Sequence, residues 1–363
     1  MKKIYFVLGC LAALLGAVSC EKENPDLLPE DFKGVYILNN GKWNANNASL
    51  TNYNPETQKV TQNVFLFRNN KKLGDLAQDI LLYGNKMYIT VANSGVVFVT
   101  DPQVHILKEI KMAEYKEPRN VISYKGKVYI TYYDGYLAEI DTVDYAVRTV
   151  KVGISPEGLR EANGKIYVAN SGGANYPVYD KTVSVVDPVA MEVVKTLEVQ
   201  INPGIMAVDA QKDIYVISVG DYGAIPPVLQ RIKTDTDEVE KVTLQADDGT
   251  GQHVTLSPMW MTMGAGNKLY IVSGVNDVEG KVQGKVYTFN TETEKIEGEF
   301  VKDGTVIKNL HHFTANPVSG ELYIGSSDYL NNGDMYVFGS DGKLKNKFET
   351  GLNPIKVCFL TNK

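Results

Sequence analysis

Aromatic and asparagine side chains gather in the segments that lie between the apolar runs of this 363-residue chain. Flat aromatic faces bury apolar area at a low entropic cost, and the Asn amide both donates and accepts hydrogen bonds. Because Lys, Arg and Glu are scarce among them, these segments predict a binding surface for a large, flat or sugar-like, uncharged ligand. The candidate ligand-binding residues are Trp43, Asn44, Arg119, Tyr133, Tyr176, Tyr179, Tyr222, Trp260, His311 and Tyr329.

Motifs of common hydrolases and metalloenzymes are missing from the sequence. It contains no Gly-x-Ser-x-Gly nucleophile elbow and no His-Glu-x-x-His motif. The 4 histidines and 3 cysteines leave little room for a His-based or Cys-rich metal centre. We therefore predict no catalytic residue, no metal site and no required cofactor. An enzyme remains an alternative, since residues far apart in sequence can converge on one site.

The composition is that of a globular β protein. Hydrophobic residues make up 44%, and 32 glycines and 22 tyrosines suit many short strands joined by turns. The formal net charge of −6 argues against nucleic acid as a partner, because such a partner requires a basic footprint.

One short motif, an apolar residue followed by Tyr and then by Ile or Val, occurs seven times. The copies lie roughly 40 to 55 residues apart, which is the period of four-stranded propeller blades. Two further runs follow most copies, and the last is polar enough for an exposed edge strand. The copies are Val35-Tyr36-Ile37, Met87-Tyr88-Ile89, Val128-Tyr129-Ile130, Ile166-Tyr167-Val168, Ile214-Tyr215-Val216, Leu269-Tyr270-Ile271 and Leu322-Tyr323-Ile324.

The run before most Tyr motifs has a different character and predicts the innermost strand beside a central channel. It often begins at a proline and continues with small or apolar residues. The segment from Asn353 is such a run with nothing after it, whereas the first Tyr motif has none before it. The sequence therefore predicts an all-β fold, a single seven-bladed β-propeller with four-stranded blades and a C-terminal strand that closes the first blade. The prolines are Pro118, Pro156, Pro203, Pro258 and Pro354.

This strand order assigns the connections to two faces. The connections on one face are predicted to be short turns, whereas several on the other face are long and carry the aromatic and Asn residues. Elaborated loops on a rigid scaffold commonly carry function. The long-loop face is therefore the predicted binding face.

Several candidate residues have structural alternatives. Trp260 suits channel packing as well as ligand contact. Of the adjacent His311 and His312, one is expected to line the channel mouth and the other to pack between blades, because neighbouring strand residues face opposite sides. A contact of these histidines with a metal or cofactor iron is a lesser alternative. Arg119 and Glu157 are expected to pair across the channel rim.

The N-terminus reads as an export signal. Lys2 and Lys3 precede an apolar run too short to span a bilayer, and Cys20 stands at the cleavage site. The segment resembles bacterial lipoprotein signals, which implies that residues 1–19 are removed and that Cys20 is lipidated. Residues 20–31 then form a tether, and its acidic start resembles the surface-export signals of Bacteroidota lipoproteins. The implied location is the outer membrane, lipid-anchored and facing the cell exterior.

Residues 32–363 resemble the YncE-like, YVTN-type seven-bladed propellers through the seven Tyr motifs and Asp-Pro turns such as Asp101-Pro102 and Asp187-Pro188. A surface lipoprotein with such a propeller is also similar to the BtuG-type lipoproteins of Bacteroidota. That resemblance implies capture of a corrinoid, vitamin B12 or cobinamide, as ligand and transfer to a BtuB-type TonB-dependent outer-membrane transporter. Two alternatives remain: a surface binder of a ferric siderophore, haem or glycan, and a propeller enzyme or protein-interaction scaffold.

Overall fold

The computed structural model describes residues 31–112, 117–247, 252–276 and 282–360. These residues form seven four-stranded antiparallel blades around a central channel, so the predicted seven-bladed β-propeller is confirmed. The predicted signal segment, Cys20 and all of the tether except Asp31 lie outside the described residues. No helix in the described part of the chain is long and apolar enough to cross a membrane.

The blades follow one another along the chain, and each blade after the first begins with its inner strand and proceeds outward. Blade 1 contains β1 (Val35–Asn39), β2 (Ser49–Asn54), β3 (Lys59–Thr61) and, as its inner strand, β30 (Pro354–Phe359). Blades 2 to 4 contain β4 (Ala77–Tyr83), β5 (Lys86–Val91), β6 (Val96–Thr100), β7 (Ile106–Ile110); β8 (Pro118–Tyr124), β9 (Lys127–Tyr132), β10 (Tyr136–Asp141), β11 (Val147–Lys151); and β12 (Pro156–Ala162), β13 (Lys165–Asn170), β14 (Thr182–Asp187), β15 (Glu192–Glu198). Blades 5 to 7 contain β16 (Pro203–Val208), β17 (Ile214–Ser218), β18 (Val228–Lys233), β19 (Glu238–Val242); β22 (Pro258–Met263), β23 (Lys268–Asn276), β24 (Val282–Asn290), β25 (Lys295–Glu299); and β26 (Leu310–Ala315), β27 (Leu322–Ser326), β28 (Asn332–Phe338), β29 (Leu344–Leu352).

Three short elements lie in the connections between these strands. They are the helix α1 (Val64–Asn69), a 3₁₀ helix (Gly173–Asn175) and a two-stranded hairpin of β20 (Gln245–Asp247) and β21 (His253–Thr255).

The two ends of the propeller meet in blade 1. β30 pairs antiparallel with β1 and places Cys358 opposite Tyr36. The Asn353 side chain donates a 2.7 Å hydrogen bond to the carbonyl of Gly41, and the Thr350 hydroxyl donates one of 2.8 Å to the Asn39 side chain. The predicted closure by the C-terminal strand is confirmed, and it leaves no open edge between the first and last blades.

The seven motif tyrosines all lie in the second strand of a blade and are buried. Some of them join neighbouring blades, since Tyr36 in blade 1 donates a 2.8 Å hydrogen bond to the carbonyl of Pro102 in blade 2. Burial of an aromatic side chain of this size contributes about 1.5–3 kcal/mol, so the repeated motif stabilises the blades. Cys358 is buried among this packing.

The two faces of the ring differ as the strand order predicts. On one face, two-residue turns at 84–85, 125–126 and 163–164 join inner strands to second strands. On the other face, long connections at 40–48, 171–181 and 219–227 follow the second strands. The inner strands begin on the long-loop face, so their first residues border the mouth of the channel.

Candidate functional site

Every inner strand contains a β-bulge near its first residue. The register of the ladder shifts between Pro156 and Leu159 in β12 and between Leu310 and His312 in β26, and equivalent shifts occur in the other five blades. At a bulge, two consecutive residues of one strand lie opposite a single residue of its partner, and both of their side chains point to the same side. The second and third residues of all seven inner strands therefore line one cavity: Gln78, Asp79, Arg119, Asn120, Glu157, Gly158, Gly204, Ile205, Met259, Trp260, His311, His312, Ile355 and Lys356.

The bulge corrects one expectation drawn from the sequence. His311 and His312 were expected to face opposite sides of β26, with one of them packed between blades. Both line the cavity, because the register shift interrupts the alternation of the strand. The prediction of opposite orientations is therefore wrong.

The cavity occupies the channel mouth and has a volume of about 1090 Å³. That volume lies just above the usual range of about 300–1,000 Å³ for small-molecule sites, which suits a large ligand. The structure brings together eight of the ten candidate residues in its lining, namely Arg119, Tyr133, Tyr176, Tyr179, Tyr222, Trp260, His311 and Tyr329.

Trp43 and Asn44 lie in the loop 40–48 and are not part of the cavity lining. Trp43 is 67% exposed, and the Asn44 side chain accepts a 3.2 Å hydrogen bond from Asn93. Asn40, at the start of the same loop, does line the cavity. The loop thus contributes to the mouth through Asn40 rather than through its tryptophan.

Three neighbouring tyrosines, Tyr176, Tyr179 and Tyr222, form one side of the rim of the cavity. The ring centroids of Tyr176 and Tyr179 are 6.1 Å apart and those of Tyr179 and Tyr222 are 6.3 Å apart, both edge to face. Tyr176 and Tyr222 are each 73% exposed. Large aromatic side chains left this exposed beside a cavity favour a binding role over a packing role.

Tyr133 also lines the cavity. The Arg119 guanidinium lies 4.8 Å from the centroid of its ring, a cation–π distance. Arg119 in turn donates hydrogen bonds of 2.6 and 3.0 Å to the two carboxylate oxygens of Glu157. The predicted Arg119–Glu157 pair is confirmed, and it fixes the guanidinium that supports the tyrosine.

Across the ring, blades 6 and 7 contribute Trp260 and the two histidines. The ring centroid of Trp260 is 5.3 Å from that of His312 and 6.4 Å from that of His311. The Tyr329 hydroxyl is 3.3 Å from Nδ1 of His311. Burial lowers the pKa of His311 to about 4 and that of His312 well below its ordinary value. Both imidazoles are therefore neutral at neutral pH, and a neutral ring presents a nitrogen lone pair.

Charged side chains complete the lower wall. Lys356 Nζ lies 3.4 Å from Asp79 Oδ1, and the backbone N–H of Val121 donates a 3.2 Å hydrogen bond to Asp79 Oδ2. Arg160 lines the cavity farther along β12. Asp79, Arg160 and Lys356 were not among the residues predicted from the sequence. Asp79 and Lys356 are the third residues of β4 and β30, and Arg160 is the fifth residue of β12. Counting from the start of each inner strand could therefore have found them. Among the described residues, no group of three or more His, Cys, Asp or Glu side chains is placed to hold a metal ion.

The family model of the domain of unknown function DUF5074 matches residues 33–350 of the chain. No curated protein matches the chain.

Solved structures resemble this chain in fold. A quinonprotein alcohol dehydrogenase-like protein of Bacteroides thetaiotaomicron superposes with a TM-score of 0.64 at 17% identity, covering 90% of this chain and 78% of that one. Hydrazine synthase of Kuenenia stuttgartiensis gives 0.57 at 15% identity, covering 75% and 85%. Virginiamycin B lyase of Staphylococcus aureus gives 0.56 at 15% identity, covering 75% and 83%. At these identities the likeness establishes the propeller fold alone.

Proposed function

The chain belongs to the DUF5074 family, and from its cavity we propose that it is a binding protein that captures a corrinoid such as vitamin B12 or cobinamide. The ligand would enter the channel mouth from the long-loop face. The protein would then pass it to a TonB-dependent outer-membrane transporter of the BtuB type.

One observation carries this proposal: a cavity of about 1090 Å³ has aromatic side chains on opposite sides. Tyr133, Tyr176 and Tyr179 come from blades 3 and 4, whereas Trp260 and Tyr329 come from blades 6 and 7. A corrinoid is large and flat, so opposed aromatic groups suit the faces and edges of its ring system.

Amide side chains supply the polar part of the proposed match. The corrin ring is fringed with amides, each of which needs both a donor and an acceptor when it leaves water. Side-chain amides do both, and they occur around the cavity wall in blades 1, 2, 3 and 5. They are Asn40, Gln78, Asn120 and Asn202.

A location on the cell exterior, with a lipid anchor at Cys20, belongs to the same proposal. It rests on the sequence of the first twenty residues. More than one acyl chain on Cys20 would hold the propeller stably at a membrane. Digestion of the protein by protease added to intact cells would support this location, and full protection in cells with intact envelopes would contradict it.

Haem is a second candidate ligand. It is also large and flat, and the neutral imidazole of His311 favours it, because such a ring can coordinate iron. Direct comparison of the two ligands decides between them.

The test is retention of colour. Full-length protein is mixed with cyanocobalamin, cobinamide, haem or a ferric siderophore, and visible absorbance is followed through gel filtration. We expect a corrinoid to co-elute with the protein at equal molar amounts. Retention of haem alone would favour the second candidate, and elution of every colour separately from the protein would contradict capture.

Trp260→Ala should weaken capture, because it removes one aromatic side of the cavity. The expected loss in affinity is about tenfold, from a buried aromatic contact of about 1.4 kcal/mol. Trp43→Ala is the matched control, since it removes the other tryptophan, which lies outside the cavity lining. Equal losses in the two variants would place the ligand outside the cavity.

A further inference from the structure

Arg160 differs from the other charged residues of the cavity. Four of them form two ion pairs: Arg119 with Glu157 at 2.6 Å, and Lys356 with Asp79 at 3.4 Å. No carboxylate in the described part of the chain lies within 4 Å of the Arg160 guanidinium. The cavity of this acidic protein therefore contains one cation without an ionic partner.

The position of Arg160 is also exceptional. It is the fifth residue of β12 and lies three residues beyond Glu157, deeper in the channel. Its Nη1 donates a 2.6 Å hydrogen bond to the carbonyl of Leu159, the one acceptor that it meets among the described residues. The other inner strands have uncharged residues at the fifth position: Leu81, Ile122, Ala207, Thr262, Thr314 and Cys358.

A cation without an ionic partner in this position lowers the stability of the folded protein. Burial lowers the pKa of Arg160, against the opposing effect of the Asp79 charge, which means that the surroundings disfavour the charged form. A guanidinium nevertheless stays protonated in proteins. A bound anion would offset the lost hydration and would accept the N–H groups that face the channel.

We infer that the channel below the aromatic rim is an anion subsite, in which Arg160 receives an anionic oxygen group of the bound ligand. This inference rests on the proposed function and deepens it. Cyanocobalamin has a phosphodiester in its nucleotide loop, whereas cobinamide lacks that loop. The subsite therefore predicts a preference for cyanocobalamin.

The first experiment uses small anions on the full-length protein without corrinoid. Thermal unfolding is followed in inorganic phosphate, acetate or chloride at equal ionic strength. Phosphate or acetate should raise the Tm of the wild type above its value in chloride, and R160Q should abolish the difference. The larger of the two effects identifies phosphate or carboxylate as the preferred group.

The control variant is K165Q, which removes a cation of the opposite face that pairs with Asp187. It should keep the anion-dependent rise in Tm. R160Q should also unfold at a Tm in chloride equal to or above that of the wild type, because an uncompensated buried charge has been removed. Equal anion effects in wild type and R160Q, or none beyond chloride in the wild type, would overturn the anion subsite.

The second experiment compares two corrinoids by titration calorimetry. R160Q should weaken binding of cyanocobalamin about tenfold or more, the usual effect of losing a hydrogen-bonded charge, and that of cobinamide by less than about twofold. Equal losses for both would contradict a contact with the phosphodiester. If neither corrinoid binds the wild type, the proposed function fails, and the anion measurement alone decides the subsite.

Discussion

Two kinds of side chain give the cavity its chemical character at the residue scale. Exposed tyrosines such as Tyr176 and Tyr222 form the rim, and neutral histidines lie behind Trp260 in the wall. The buried motif tyrosines pack the blades together, whereas Tyr176 and Tyr222 leave most of their surface open to a ligand.

The histidines predict a dependence of stability on pH. The pKa of His311 in the folded protein is about 4, below the ordinary value of 6.5, so the unfolded chain binds more protons between these values. The contribution of neutral His311 to the free energy of unfolding is fully present above pH 6.5 and is lost as the pH falls toward 4, at about 1 kcal/mol per pH unit. Burial also lowers the pKa of His312, so this residue should act in the same direction.

Urea denaturation at pH 7, 6 and 5 measures this effect. The double variant His311→Gln/His312→Gln removes both groups and should show a shallower loss of stability on acidification than the wild type. The carboxylates titrate in both proteins and serve as the internal control. Identical pH slopes would mean that the histidines titrate normally in the fold.

At the scale of elements, the inner strand with its bulge is the unit that builds the site. The prolines at its start were visible in the sequence, and β8, β12, β16, β22 and β30 begin at them. Such a position suits proline, because the first residue of a strand need not donate to the ladder. The bulge itself was not predictable, since it depends on how two strands pair and leaves no residue signature. This is why only one of His311 and His312 was expected to line the cavity.

Closure of blade 1 by β30 predicts a global effect of truncation. A chain that ends at Leu352 lacks β30 and leaves the core positions of Val357 and Cys358 empty. It should lose cooperative thermal unfolding altogether, because the ring is then open between its first and last blades.

Circular dichroism during heating measures this effect. A chain that ends at Leu360 keeps all of β30 and is the control, with unfolding close to that of the wild type. A truncated chain that still melts cooperatively at the wild-type temperature would show that the ring does not depend on this strand.

At the scale of the whole molecule, the important property is the difference between two faces. The strand order predicted from the sequence assigns each connection to a face, because that face follows from the place of the connection in its blade. The lengths of the connections then predicted which face bears the long loops. The charge of the cavity could not be predicted in this way. The chain has a net charge of −6, whereas the cavity has three cations, Arg119, Arg160 and Lys356, and two carboxylates, Asp79 and Glu157. Only the folded ring brings these distant residues together.

The central claim is that a corrinoid is captured inside the channel mouth, and the two tryptophans allow a direct test. In Trp43→Phe the remaining emission comes from Trp260 in the cavity, and in Trp260→Phe it comes from Trp43 outside it. Titration with cyanocobalamin, corrected for its own absorbance, should quench Trp260 to saturation at one equivalent and quench Trp43 less strongly. Quenching of Trp43 alone, or of neither tryptophan, would contradict capture in the cavity.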